Sequence, residues 1–309
     1  MSSATDILSR VALGVDYLTR LQSHDGSWRD YRLPVGESDQ WVTAFTGVGM
    51  ARAARALGSD KAAVAAERAL QYLIDAQKYQ AGWGYNGETG IDADSTAYAI
   101  QLFRELGRPV AAENEACLRS HFRYDGGVCT YRQDSGWGVS HPDVTASAAL
   151  ALDENELASM KPSLAAYCRQ SFIADIGWPT YWWKNHIYST WLMLELHQRL
   201  GVTVPPLGST MSIAIDSVFD LAWSVGVLKQ LDYPDAVLAR PLALLCAMQE
   251  PCGKWPGAAN LRVTDPDCYT PWIVPQGDYY IDHSGTISTA AVLTVLSRII
   301  TSGLTCSKP

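Results

Sequence analysis

The stretch AQKYQAGWGYNGETGIDADSTAYAIQLFREL, residues 76 to 106, holds the unit that decides the fold. A Gly-Trp-Gly turn at 82–84 separates the end of one helical segment from the start of a second, STAYAIQLFREL. In that second segment Ala97, Ile100, Leu102 and Leu106 are helix formers at helical spacing, and Gly107 stops the run. Pro109 follows, as expected just past a helix end.

The same unit recurs along the chain. LQSHDGSW (21–28) precedes DQWVTAFTGVGMARAARAL, and IADIGWPTYWW (173–183) precedes IYSTWLMLELHQRL. AMQEPCGKWPG (247–257) leads to HSGTISTAAVLTVLSRI, and a degenerate copy, HFRYDGGVCTY (121–131), leads to DVTASAALAL. The segment IDSVFDLAWSVGVLKQL reads as a helix without a clear preceding turn. Equivalent threonines, Thr43, Thr96, Thr145 and Thr190, lie 45 to 53 residues apart, room for two helices of about 15 residues and two loops. Sustained period-two alternation is missing, whereas i, i+3, i+4 apolar spacing is common. A helix pair of this kind cannot bury its apolar face alone, so the copies must stack. An open solenoid satisfies the period; the aromatic content favours closure. The expected architecture is all-α: residues 1–309 as a single α/α barrel (toroid) of about six helical hairpins around a central cavity.

Composition narrows the function. A net charge of −8 with scattered Lys and Arg argues against nucleic acid, whose phosphates need a concentrated positive footprint. The amino terminus lacks the charged segment and long apolar core of a secretion signal, and no stretch reaches a bilayer-spanning length. Seven cysteines without a CxxC pairing read as reduced thiols. The expected setting is therefore cytoplasmic, with no transmembrane segment and peripheral membrane contact left open. The unusual feature is 11 Trp and 15 Tyr against 5 Phe, a set rich in electron-rich faces with polar tips.

The Gln-x-x-x-Gly-x-Trp units at Gln22/Gly26/Trp28 and Gln249/Gly253/Trp255, with a looser copy at Gln77/Gly82/Trp83, resemble the QW repeats of the squalene–hopene-type terpene cyclase superfamily. DADSTA (92–97) resembles the Asp-x-Asp-Asp-Thr-Ala signature of class II terpene cyclases, whose middle aspartate is the general acid. By position the resemblance makes Asp94 the acid and Asp92 its neighbour, with Ser95 standing where the family has a third aspartate. The chain has room for one helical domain, so it is similar to monodomain class II cyclases. The Asp-Asp-x-x-Asp signature of class I synthases is missing, which disfavours ionisation of an allylic diphosphate by clustered magnesium.

The chemistry sets a clear requirement. An exposed aspartic acid, pKa about 3.9, is ionised at neutral pH; burial raises that value, and a nearby carboxylate raises it further. The helix N-terminus opposes this by about 0.3–1 kcal/mol, less than full burial contributes. The bland alternative is that Asp92 or Asp94 merely caps a helix, as Asp39, Asp143, Asp216 and Asp282 near other inner-helix starts suggest. After proton transfer the cation needs aromatic faces. Candidates by position are Trp41, Trp182, Trp183, Tyr188, Trp223, Tyr269, Trp272 and Tyr280. His141 and His283 are candidates to hydrogen-bond the acid or accept the final proton. The implied substrate is a small linear isoprenoid. No cofactor is required, and Mg2+ enters only if the substrate keeps a diphosphate. A competing reading takes Asp265, Asp267, Cys268 and His283 as zinc ligands of a prenyltransferase β-subunit-like protein. A third is a helical toroid serving as a binding module.

Overall fold

The computed structural model describes residues 4–79, 81–174, 176–207, 215–273 and 276–302. Eleven α-helices dominate the described residues. Six form an inner ring: α2 (Gln40–Leu57), α4 (Ala93–Glu105), α6 (Pro142–Ala151), α8 (Ile187–Leu200), α9 (Val218–Gln230) and α11 (Thr286–Thr301). Each packs on the next, and α11 packs on α2, so the ring closes. Outside it lie α1 (Ala4–Leu21), α3 (Asp60–Asp75), α5 (Ala112–Arg119), α7 (Glu154–Gln170) and α10 (Asp235–Ala247). The architecture is the expected helical toroid, with one difference: among the described residues no outer helix precedes α9. That is the helix whose sequence lacks a preceding turn.

The repeat residues act as ties between helices. Each repeat tryptophan donates its indole Nε1–H to a carbonyl ten residues earlier, in the last turn of the preceding outer helix. The pairs are Trp28 to Leu18, Trp83 to Leu73, Trp178 to Cys168 and Trp255 to Leu245, at 2.7–2.8 Å. The backbone N–H at the same position donates to the periodic threonine: Trp28 to Thr43, Trp83 to Thr96, Val128 to Thr145 and Trp255 to Thr289. One residue thus joins an outer helix to its inner partner.

The glutamine joins neighbouring repeats. Gln22 Nε2 donates to Gly26 O and to Ala65 O on α3; Gln249 Nε2 donates to Gly253 O and to Arg10 O on α1. The second bond ties the last repeat to the first. Glycine is required there because Gly253 has φ +97° and a Cβ would lie 2.3 Å from Leu13 O. Inner helices such as α2 and α11 are buried almost throughout, which is why small residues fill them.

Two short antiparallel hairpins were not legible in the sequence: β1 (Asp30–Leu33) with β2 (Gly36–Ser38), and β3 (Ala259–Val263) with β4 (Asp278–Ile281). Strands of three to five residues are too short to display alternation. Both sit at the end of the ring where the inner helices begin.

The ring closure gives a sharp contrast between two glycines. Gly253→Ala should destabilise the fold by about 3 kcal/mol or more, since left-handed strain adds to a backbone collision. Gly58→Ala, at φ +62° with open space around it, should cost about 1 kcal/mol. Urea unfolding of both variants checks this.

Candidate active site

The segment ahead of α4 gives its two aspartates different work. Asp92 has an extended backbone and caps the helix: Oδ1 accepts the Ser95 N–H and Oδ2 accepts the Ser95 hydroxyl, both at 2.7 Å. Ser95 therefore satisfies the cap. Asp94 is not a cap. Its Oδ2 accepts the indole N–H of Trp41 on α2 at 2.8 Å, and its Oδ1 accepts the hydroxyl of Ser147 on α6 at 2.5 Å. The two ring neighbours of α4 thus hold its carboxyl from either side.

Asp94 faces a cavity of about 290 Å3, close to the lower end of typical small-molecule pockets, about 300–1,000 Å3. Trp41, Trp182 and Trp183 line it, as does Tyr280 on β4. Tyr85, Tyr131 and Trp137 complete the aromatic wall. Leu33, Pro34 and Val35 come from the first hairpin, Leu261 and Val263 from the second. Asp92, Asp94 and Ser95 lie side by side on this surface.

Burial pushes the Asp94 carboxyl up to about 6, against the pull of the bonds from Ser147 and Trp41 that favour its anion. Burial also raises Asp92, to about 7, with the charge of Asp94 adding to it and the Ser95 bonds opposing. The expected direction of influence is thus reversed. The charge of Asp94 raises Asp92, and burial is what keeps Asp94 weakly acidic.

Six of the aromatic and histidine candidates lie elsewhere. His141 does not reach the acid: Nδ1 meets Thr130 Oγ1 at 3.2 Å, Nε2 meets Gly136 O at 2.9 Å, and the ring stacks on Tyr181 at 3.8 Å. Burial lowers its pKa to about 3, so it is a neutral supporting group. His283 is exposed, and its backbone N–H donates to Asp30. Tyr188 and Trp223 are buried below the cavity, in an aromatic plug with Phe45, Tyr98 and Phe219. The Tyr188 and Tyr98 hydroxyls hydrogen-bond each other there, and the plug leaves a void of only about 10 Å3. Tyr269 is 50% exposed, and Trp272, half-buried, is not part of the cavity wall. Position near a turn does not distinguish the cavity side of that turn from the plug or the outside.

The residues missed by sequence reasoning are Ser147, Tyr85, Tyr131 and Trp137. Ser147 sits among small residues of α6, and no local signal marks it. The three aromatics ride on loops that only tertiary packing turns inward.

The zinc reading finds no assembled ligand set. Among the described residues, one group of three potential ligands lies within metal-binding reach, Glu115, Asp153 and Glu156, and it shares nothing with Asp265, Asp267, Cys268 and His283. Among the described residues no helix is long and apolar enough to cross a membrane.

No family model and no curated protein matches the chain. Solved structures do. The type II terpene cyclase MstE from Scytonema is 24% identical, covering 97% of this chain and 99% of its own, with a TM-score of 0.84. The same cyclase in complex with geranylgeranyl dihydroxybenzoate, its substrate, gives 0.82 at 24% identity over 96% and 98% of the two chains. A protein from Actinoplanes is 27% identical over 95% of this chain and 100% of its own, with a TM-score of 0.80.

The raised Asp94 pKa has a stability consequence. Because the folded value, about 6, exceeds the ordinary carboxyl value of 3.8, ionisation costs stability as pH rises from about 4 to 6, and the deficit stays constant above. Asp94→Asn lacks that cost and keeps an amide that can meet Trp41 and Ser147. It should therefore be more stable than wild type by about 1–3 kcal/mol at pH 8, with the gap closing towards pH 4. Thermal unfolding across pH 4–8 measures it. The chain thus has the helical-toroid fold of the type II terpene cyclase it is similar to, with an acid set in the wall of its aromatic cavity.

Proposed function

We propose that this chain is a class II terpene cyclase of the meroterpenoid type, with Asp94 as its general acid and residues 1–309 as one catalytic domain. The observation that carries the reading is a carboxyl raised to about 6 by burial, facing an apolar hollow walled by tryptophan and tyrosine. At pH 7 about one molecule in ten holds the reactive proton.

The Asp94 O–H adds its proton to the terminal alkene of a linear polyprenyl chain, or to an epoxide made from it. The O–H electrons stay on the carboxylate, and a tertiary cation forms. The next double bond attacks that cation, closes a carbon–carbon bond and moves the charge one unit along. Ring closure ends when the last cation loses a neighbouring proton, or when water or a hydroxyl of the substrate adds and then releases a proton. Asp94 recovers its proton from water, so simple cyclisation is an isomerisation.

Ser147 suits a proton donor of this kind. Its hydroxyl donates to Asp94 Oδ1 and so stabilises the carboxylate left behind when the proton departs. Trp41, Trp182 and Trp183 present electron-rich faces without a strong nucleophile. A desolvated cation over such a face gains about 2 kcal/mol or more. Each 1.36 kcal/mol gained only at the transition state is worth about tenfold in rate.

No cofactor is needed for this chemistry, and Mg2+ would assist only a substrate that retains a diphosphate. The substrate of the Scytonema cyclase, a geranylgeranyl dihydroxybenzoate, is the chemical type the aromatic cavity accommodates by analogy. Thiols at Cys117, Cys129, Cys168, Cys252 and Cys268, outside any disulfide, suit a cytoplasmic protein.

The test is incubation with farnesyl, geranylgeranyl and aryl-prenyl compounds. Wild type should yield cyclised product, and Asp94→Asn should lose it by at least about a thousandfold while remaining folded. Equal activity in the Asn variant overturns the assignment. The cyclisation rate should be level below about pH 6 and fall about tenfold per unit above it. Ser147→Ala, which removes a bond favouring the anion, should move that inflection upward, measurable from the pH–rate profile.

A further inference from the structure

The turn that carries Trp182 and Trp183 lies between two buried charges of opposite sign. Asp143, in the first turn of α6 and 2% exposed, accepts the backbone N–H groups of Tyr181 at 3.1 Å and Trp182 at 3.2 Å through Oδ2. Arg262, on β3 and also 2% exposed, works from the carbonyl side. Its Nε donates to Tyr181 O at 2.9 Å and its Nη2 to Thr180 O at 2.5 Å. Its Nη1 reaches Pro271 O at 3.4 Å, and its own backbone N–H donates to Trp182 O at 2.7 Å. A bridge between Trp183 and Leu261, and a bond from Lys184 N to Asn260 O, extend the seam along β3.

No direct ion pair between Asp143 and Arg262 occurs among the described residues; the peptides of 180–182 stand between them. Charges buried without direct pairing are costly, and an apolar filling is often at least as stable. Their hydrogen bonds to the backbone are charge-assisted, roughly twice as strong as neutral ones, and directional. The arrangement therefore yields position at some cost in stability. What it positions are the two indoles of the cavity wall. Trp182 is further fixed by its Nε1 bond to Thr130 at 2.8 Å, and Trp183 by stacking on Phe219 at 4.5 Å.

We propose that Asp143 and Arg262 form a positioning clamp that holds the Trp182 and Trp183 faces against the migrating cation and so sets how far cyclisation runs before quenching. The proposal rests on the cyclase reading above. Neither residue donates the proton or touches the substrate, so the signature is a change in product distribution rather than loss of initiation. Asp143→Asn retains a hydrogen-bond acceptor but not the charge; Arg262→Lys retains the charge but not the fork.

The experiment compares wild type, Asp143→Asn, Arg262→Lys and Asp94→Asn on whichever prenyl compound wild type cyclises. Total consumption and the ratio of fully to partly cyclised or water-captured products are measured, with thermal midpoints and near-ultraviolet circular dichroism recorded in parallel. Both clamp variants should stay folded and consume substrate within about tenfold of wild type, while partly cyclised products rise about threefold or more. Their aromatic dichroism should change as the indoles loosen. A folded Asp143→Asn with the wild-type product ratio overturns the clamp. So does one that loses all turnover as Asp94→Asn does, since that would put Asp143 in the protonation step. Should Asp143→Asn not fold, Arg262→Lys decides by the same ratio. If wild type cyclises nothing, it is the cyclase reading that fails, and unchanged dichroism in both folded clamp variants then overturns the clamp on its own.

Discussion

Burial of one carboxyl group is the constraint on which the rest of the structure depends. Asp94 receives hydrogen bonds from Trp41 and Ser147, each of which favours its ionised form, and it lies in the first turn of a helix, where the macrodipole favours a negative charge. Only exclusion of water outweighs these influences and lifts the pKa to about 6. The aromatic wall is therefore part of the acid as much as of the binding site. It removes the solvent that would ionise the group, and it offers faces that a cation can lie against.

The toroid supplies this environment through its polarity. The cavity is lined from the start of α2 and α4 and from the loops entering α6, α8 and α11, so the inner helices begin at the cavity end. Their N-termini would make the hollow unfavourable for positive charge. Buried carboxyl groups stand at several of these helix starts. Asp92 caps α4, Asp220 sits in the first turn of α9 beside Ser217, and Asp282 accepts the N–H groups of Ile287 and Ser288 at the start of α11. Asp143, in the first turn of α6, grips the tryptophan turn instead.

The opposite end has complementary charges. Arg55 donates to the last carbonyl of α4, and Arg199 to the carbonyls of Leu150 and Leu152 at the end of α6. Ion pairs of Arg52 with Glu105 and Arg298 with Glu195 line that end. Between the ends, the plug of Phe45, Tyr98, Tyr188 and Trp223 fills the ring. The barrel thus has an aromatic hollow at one end and a charge-lined depression of about 410 Å3 at the other, and Asp94 is at the boundary between the aromatic hollow and the plug.

The sequence by itself determined the repeat, because its Gln, Gly, Trp and Thr residues make local bonds at fixed offsets. A tryptophan that reaches ten residues back, and a glycine that must adopt a positive φ, leave a pattern in the chain. Asp94 stood out through the resemblance of DADSTA to a known signature, while its local arrangement alone left capping open; the bonds from Trp41 and Ser147, both 53 residues away, separate it from the capping Asp92. Which aromatic residues face the cavity was decided only by tertiary structure. Trp182 in a turn and Trp223 in a helix were both candidates, yet one lines the hollow and the other the plug. Ser147, Trp137 and Arg262 acquire their roles from partners 53, 127 and 82 residues away. Contacts across such separations leave no periodicity in a single chain, because the closing of the ring, not the local backbone, brings the partners together.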